Sequence, residues 1–292
     1  MTEIKFELDK KRVRSAFERA ADSYDAAAVL QREIADRMLT RLDLVKAVPN
    51  RILDVGSGTG YCAIQLQKRY RRARLLEIDI AQAMLLRARE RAAWFSRRHF
   101  ICGDAEALPV AGDSIDLLIS NLTLQWCNPD AAFGEFARVL RPGGLLMFTS
   151  FGPDTLRELR AAWRTVDDYP HVHTFIDMHD LGDALVRAGF SDPVMDVEHF
   201  TLTYPDVMQV FRDLKSIGAR NAEKRRIAGL TGKQRFGRFK AAYERLRRDG
   251  SIPATYEVVY GHAWAPAQKP TSYSLPDGAI GIPLSKIGGR RR

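Results

Sequence analysis

An α/β fold, with a mostly parallel sheet and helices on both faces, is predicted by three observations. Residues 51–55 form an apolar strand run that breaks into glycines at alternate positions, with a helix-forming stretch behind them. Four further apolar runs, at 75–79, 99–102, 115–120 and 145–150, follow with one helical crossover between most of them. That alternation is the signature of βαβ units, whose crossovers place helices on both sides of a sheet. The second run ends in an acid, Asp79, 23 residues after Gly56. This is close to the roughly 20-residue offset at which a carboxylate meets both hydroxyls of a ribose.

Taken in order, residues 11–44 carry apolar side chains at helical intervals: Val13, Ala16, Phe17 and Ala20, then Leu30, Ile34, Met38 and Leu42. Two helices joined near Ser23-Tyr24-Asp25 are expected there. After the first strand and its glycines come the second and third runs, the latter leading into Gly103-Asp104-Ala105-Glu106. The fourth run, 115–120, ends at Asn121. Arg141-Pro142-Gly143-Gly144 reads as a tight turn into the fifth. Helices are expected around 153–166 and 178–188, the second stopped at Gly189, with strands near 194–203 and 255–265. Between those strands, 205–250 reads as a mainly helical insertion large enough to cover the cofactor end of the sheet. The organisation expected is an N-terminal helical segment over the site (1–50), a core (51–204), a basic lid (205–250), a last core strand (251–266) and a mobile basic tail (267–292). Few apolar residues and many breakers define that tail.

The glycine run, Asp54-Val55-Gly56-Ser57-Gly58-Thr59-Gly60, is a cofactor loop. Without side chains the backbone can approach a ligand, and the helix start behind it offers free N–H groups. A dinucleotide fingerprint places its third glycine three residues after the second. Here that position is Tyr61, and the glycine falls one residue early, at Gly60. A pyrophosphate cradle is therefore disfavoured, and the Asp54 carboxylate would repel a phosphate while tolerating a cation. Asp79 is preferred over Glu77 as the ribose ligand because Glu77 lies deeper in the strand. The pattern D-x-G-x-G-x-G resembles the first motif of class I S-adenosylmethionine-dependent methyltransferases. The resemblance implies a Rossmann-like, seven-stranded fold with a helical lid. It places Asp54, Gly56, Ser57, Gly58, Gly60, Asp79, Asp104, Ala105 and Asn121 around S-adenosylmethionine, with Asp104 at the adenine amine.

Composition bounds the class. The chain has 292 residues, 46% hydrophobic and 28% charged, as expected of a globular protein with one principal domain. No apolar run approaches the roughly 18 residues that would span a bilayer. Glu3, Glu7 and Asp9 match neither a secretory signal nor an acid-poor transit peptide, so a cytoplasmic location without a membrane partner is expected. Cys62, Cys102 and Cys127 lie far apart and are expected to be core thiols. From 212 to 249 there are thirteen Lys and Arg against four acids, 13 − 4 = +9, equal to the net charge of the whole chain. Such a segment attracts an acidic partner. It also has the composition of a solubilising helix face. Phe236, Phe239 and Tyr243 sit at helix-core intervals instead of interleaving as base-stacking platforms, so nucleic acid is not the expected ligand.

A closer likeness is carried by Phe17 to Asp25, Leu30-Gln31-Arg32, Ser120 to Cys127, Phe151 to Leu159, Leu214 to Ala219 and Pro253 to Glu257. These segments resemble the malonyl-acyl carrier protein O-methyltransferases of biotin synthesis, over roughly residues 10 to 265. Ser57 stands where that family often has cysteine. The resemblance implies methyl transfer to the free carboxylate of a malonyl thioester on phosphopantetheine, borne by an acidic acyl carrier protein. It implies that Tyr24 walls the transfer pocket opposite Asn121, Gln125 and Trp126, and that Arg157, Lys215 or Arg220 meets the substrate carboxylate. A carboxyl that titrates near pH 4, about the ordinary value, is already ionised at neutrality, so alignment and water exclusion matter more than a general base. Pro170-His171-Val172-His173 with His179 lacks a third metal ligand at a typical spacing, and no metal is expected. Residues 151–156 and 249–256 also resemble the complex I assembly factor that hydroxylates an arginine. A methyltransferase acting on a small acid or quinone precursor, and a catalytically silent RNA adaptor, are the remaining alternatives.

Overall fold

The computed structural model describes residues 8–46, 48–224, 232–266, 273–274 and 280–281. Seven strands form one sheet: β1 (Arg51–Val55), β2 (Arg74–Asp79), β3 (Arg98–Cys102), β4 (Ile115–Ser120), β5 (Leu140–Phe151), β6 (Ser191–Tyr204) and β7 (Ile252–Trp264). Their order is β3-β2-β1-β4-β5-β7-β6. The first five run parallel, and β7 inserts antiparallel between β5 and β6. This is the predicted mostly parallel α/β sheet. The fifth strand begins at Leu140, earlier than the turn reading allowed, because the Arg141–Gly144 stretch itself joins it. The expected tail lies outside the described residues, apart from a two-residue pairing of Tyr273–Ser274 with Ile280–Gly281.

Three helices precede the sheet: α1 (Lys10–Ala20), α2 (Tyr24–Ala27) and α3 (Val29–Thr40). Asp9 starts α1 by accepting from the N–H groups of Lys11 and Arg12, which satisfies two of the donors a helix start leaves free. The crossovers are α4 (Tyr61–Arg69), α5 (Gln82–Glu90) and α6 (Pro129–Val139), the last with Asn128 as cap and proline in its first turn. Then come α7 (Arg157–Arg164) and α8 (Met178–Arg187), with α9 (Val207–Ser216) and α10 (Lys233–Glu244) between β6 and β7. No helix of the described residues is long and apolar enough to cross a membrane.

Alternation along the strands gives each face its own core. Ile52, Leu117, Ile119, Leu145 and Met147 meet α3, α4 and α7 on one side. Leu53, Val55, Leu118, Leu146 and Phe148 meet α6 and α8 on the other. The stack of Phe239 on Trp163, centroids 4.2 Å apart, ties α10 to α7. Asp116 is structural: it accepts from the N–H groups of Asn50 and Arg51 and pairs with Arg141. Cys62 and Cys127 are buried, but Cys102, at the end of the edge strand β3, is exposed, which corrects the expectation of three core thiols.

Beneath the glycine turn lies a fully buried ion pair. Arg98 Nε and Nη2 donate to the two oxygens of Glu77 at 2.6 and 2.7 Å. Burial pushes the Glu77 carboxyl up, opposed by the guanidinium. Glu77→Gln would leave that guanidinium buried without its counter-charge. Urea unfolding should show a loss of about 3–5 kcal/mol.

Candidate active site

The strand-to-helix turn after β1 is tied to the end of β2. The N–H groups of Gly56 and Ser57 donate to Ile78 O at 2.7 and 3.0 Å. Gly58 N–H donates to Asp79 Oδ2 at 2.9 Å, and Ala81 N–H donates to Oδ1 at 2.8 Å. Gly56, Gly58 and Gly60 all have positive φ, 71°, 54° and 82°, where a side chain would be strained. A Cβ at Gly56 would strike the Thr123 side chain. One at Gly60 would strike the Arg98–Glu77 pair, so Gly60, expected at the cofactor, sits behind the turn and makes room for that pair.

In front of the turn, at the carboxyl ends of β1 to β4, is a cavity lined by Gly56, Gly58, Asp79, Asp104, Ala105 and Asn121, with Tyr24 and Trp126 on its walls. Lys10, Val13 and Phe17 of α1 form its roof. Burial pushes the Asp79 carboxyl up to about 6, against the two N–H donors that favour its charge. Asp104 carries a partner that sequence did not suggest: Lys10 Nζ lies 2.6 Å from both of its oxygens and 2.7 Å from Glu106. Burial disfavours the ammonium, but the two carboxylates outweigh it and keep Lys10 charged. Lys10 and Asp104 are 94 residues apart, and no local pattern announces their meeting.

The cavity continues behind Tyr24 into a polar recess bordered by Arg32, Asp54, Ser57 and Asn121. Asp54 Oδ2 and Ser57 Oγ are buried there without a hydrogen-bond partner among the described residues. Burial, reinforced by Glu77, pushes the Asp54 carboxyl well up. Asn121 is oriented by Thr149, whose hydroxyl donates to its Oδ1 at 2.7 Å, while its Nδ2 donates to Gln31 O at 3.1 Å. Burial and the nearby Asp79 raise the Tyr24 phenol, which stays protonated.

A second cavity, about 470 Å³, adjoins the first, within the range typical of small-molecule sites. Trp126 lines both. Its indole packs edge-on to Phe17, centroids 5.5 Å apart, and lies 4.7 Å from the His173 ring. The second cavity is apolar inside, with Phe151, Phe175 and Tyr256, and is closed by α9 and the 217–221 segment. The 205–250 insertion therefore walls this cavity, while α1 roofs the first. Gly218, with φ 75°, lets the insertion press against Phe17, Ser23 Oγ donates to Ser216 O, and Asp9 N–H donates to Ala222 O.

Of the expected substrate cations, Lys215 and Arg220 line the second cavity, both exposed and neither in an ion pair among the described residues. Arg157 does not line it, and pairs instead with Asp154 at 3.3 Å. Gln125, expected on the transfer wall, is turned into the fold: its Nε2 donates to Leu122 O at 2.6 Å, and it lines neither cavity. Of the three histidines weighed as metal ligands, His171 and His173 both line the second cavity, with His171 stacked on Trp163 and bonded to Asp167, while His179 lies apart from it in the first turn of α8. Asp154, His199 and Glu257 do bring one potential ligand atom each within 4.8 Å, but Glu257 already accepts from the Asp154 N–H at 2.6 Å.

Comparison with known proteins gives the chain a family. Residues 53–148 match the family described as a methyltransferase domain. The chain is 55% identical over 285 residues to a malonyl-[acyl-carrier protein] O-methyltransferase of Methylovorus sp., covering 95% of each chain. It is 56% identical over 287 residues to the protein of that name from Laribacter hongkongensis, covering 95% of this chain and 96% of that one. Among solved structures, the YcgJ protein of Bacillus subtilis superposes with a TM-score of 0.57 at 13% identity, over 78% of this chain and 97% of that one. A SAM-dependent methyltransferase of Thermotoga maritima does so with a TM-score of 0.52 at 18% identity, over 87% and 99%. At such identities the two structures establish the fold alone.

Proposed function

This chain belongs to the malonyl-[acyl-carrier protein] O-methyltransferase family, and on that premise we propose how its two adjoining cavities carry out the transfer. The enzyme moves a methyl group from S-adenosylmethionine to the free carboxylate of a malonyl thioester held by an acyl carrier protein, an early step of biotin synthesis. The observation that carries this reading is the shared wall: among the described residues, Trp126 alone borders both the glycine-turn cavity and the cation-edged one.

The first cavity fits S-adenosylmethionine. Asp79, held by two backbone N–H groups, offers carboxylate oxygens to a ribose. The unpartnered Asp54 Oδ2 and Ser57 Oγ suit an amino-acid head, with the Arg32 guanidinium for its carboxylate. Asp104 and Ala105 border the far end, where an adenine amine would share Asp104 with Lys10. When bound, this cofactor supplies a methyl on a sulfonium, which a carboxylate oxygen takes up to give a neutral ester and a neutral thioether.

The protein's own contribution is placement and dryness. Tyr24 and Asn121 wall the cofactor side, and the protonated phenol adds no charge of its own. Lys215 and Arg220, exposed at the edge of the second cavity, draw in the anionic end of the substrate. The apolar interior beyond them strips water from it, and a held near-attack geometry can be worth effective molarities of about 10⁵ M or more. Exposed Arg212, Lys215, Arg220, Lys224, Lys233, Arg238, Lys240 and Arg245 give the insertion a positive surface suited to an acidic carrier. Methylation masks the charge, so that fatty acid elongation enzymes can accept the chain as an ordinary primer.

The direct test offers malonyl-carrier protein, succinyl-carrier protein and malonyl-coenzyme A with labelled S-adenosylmethionine. A methyl ester is expected on the malonyl carrier, and none on any of the three would overturn the reading. Lys215→Met and Arg220→Met should each raise KM for the malonyl carrier by about two- to fivefold, the scale of attraction by an exposed charge. Asp79 makes the cofactor site pH-dependent: at about pH 5 it is mostly protonated, and binding selects its charged form. Affinity for S-adenosylhomocysteine, followed by calorimetry, should therefore rise with pH and level off above about 7, and Asp79→Asn should flatten that profile.

A further inference from the structure

His173 lies inside the second cavity, at its boundary with the first. It is 6% exposed, and its ring sits 4.7 Å from Trp126 and 4.4 Å from Phe175. Its Nε2 is buried without a partner, and no side-chain hydrogen bond to the ring exists among the described residues. A buried polar group normally has a partner, so an orphan imidazole beside a cavity is waiting for something that enters the cavity.

We propose that His173 is a substrate-positioning residue: a neutral imidazole that donates its N–H to the malonyl carboxylate beside Trp126, holding one oxygen so that the other faces the cofactor cavity. This assignment rests on the malonyl reading above. Burial, helped by the Arg160 charge, brings the ring down to about 4, so it stays neutral at physiological pH. Neutrality suits the chemistry. Methyl transfer converts the carboxylate to an uncharged ester, and a cation touching the reacting group would lose its counter-charge as the reaction proceeds. A neutral donor keeps its acceptor throughout, because the ester carbonyl oxygen still accepts. Among the described residues that line this cavity, the charged ones, Lys215 and Arg220, are exposed and attract the anion without following it to the reacting end.

The test compares His173→Phe, which keeps a ring for Trp126 and Phe175 but removes the donor, with His173→Asn, which restores a neutral donor. With malonyl-carrier protein and S-adenosylmethionine, His173→Phe should lose about 10- to 100-fold in kcat/KM, with the calorimetric Kd for S-adenosylhomocysteine unchanged. His173→Asn should recover most of that loss. Acetyl-carrier protein, which lacks the carboxylate, should inhibit wild type and His173→Phe with the same Ki. An active wild type with an undiminished His173→Phe overturns the assignment, as does a His173→Asn variant no better than His173→Phe. A Ki that weakens along with kcat/KM also overturns it, since a merely structural role would move both. A wild type that makes no malonyl methyl ester at all would instead bring down the functional reading on which the assignment rests.

Discussion

The path of the cofactor turn is set by a charge pair that never touches solvent. Glu77 and Arg98 bridge β2 and β3 directly under Gly60, leaving no volume there for a Cβ. Isolated, either charge would be expensive to bury. Paired in a fork, they satisfy one another and become a rigid floor. The turn above can then take its three positive φ values and aim the Gly58 N–H at Asp79, which fixes where that carboxylate points. The glycines of this motif therefore do separate jobs: Gly56 clears Thr123, Gly58 faces the cavity under Tyr24, and Gly60 clears the ion pair.

The chemistry divides charge from neutrality along the substrate's route. Cations occupy the exposed insertion, where hydration keeps them cheap and long-range attraction is useful. Around Trp126, where the two cavities meet, the walls are largely aromatic and carry the protonated Tyr24 phenol, the oriented Asn121 amide and the uncharged His173 imidazole, while Asp79, Asp104 and Lys10 lie on the cofactor side. This gradient matches a reaction in which a carboxylate and a sulfonium neutralise one another. Attraction is needed on arrival, and an unchanging environment is needed at the moment of transfer.

Much of this was legible in the residues. The parallel strands announced themselves through apolar runs and helical crossovers, and Asp79 through its offset from the glycines. The spacing of Gly60 ruled against a pyrophosphate, although its physical reason, the Glu77–Arg98 pair, needs the third dimension. Trp126 was readable as a pocket residue, but its position between two cavities was not. Gln125 next to it could not be told apart, because the short helical turn that carries both sends one side chain out and the other in. Lys10 beside Asp104, and Arg32 in one recess with Asp54, bring together distant segments for which sequence has no local signal. His173 was visible only as a weak metal ligand. That its Nε2 finds no hydrogen-bond partner among the described residues is a property of packing.

The α1 roof of the first cavity and the insertion that walls the second are fastened together, by Ser23 on Ser216, by Asp9 on Ala222, and by Gly218 pressed against Phe17. Two doors hung on one hinge do not swing independently. On the proposed assignment, displacing the insertion to admit a tethered acyl arm would tug at α1 over the first cavity, and any change this made in the hold on one guest would be matched by an equal change in the hold on the other.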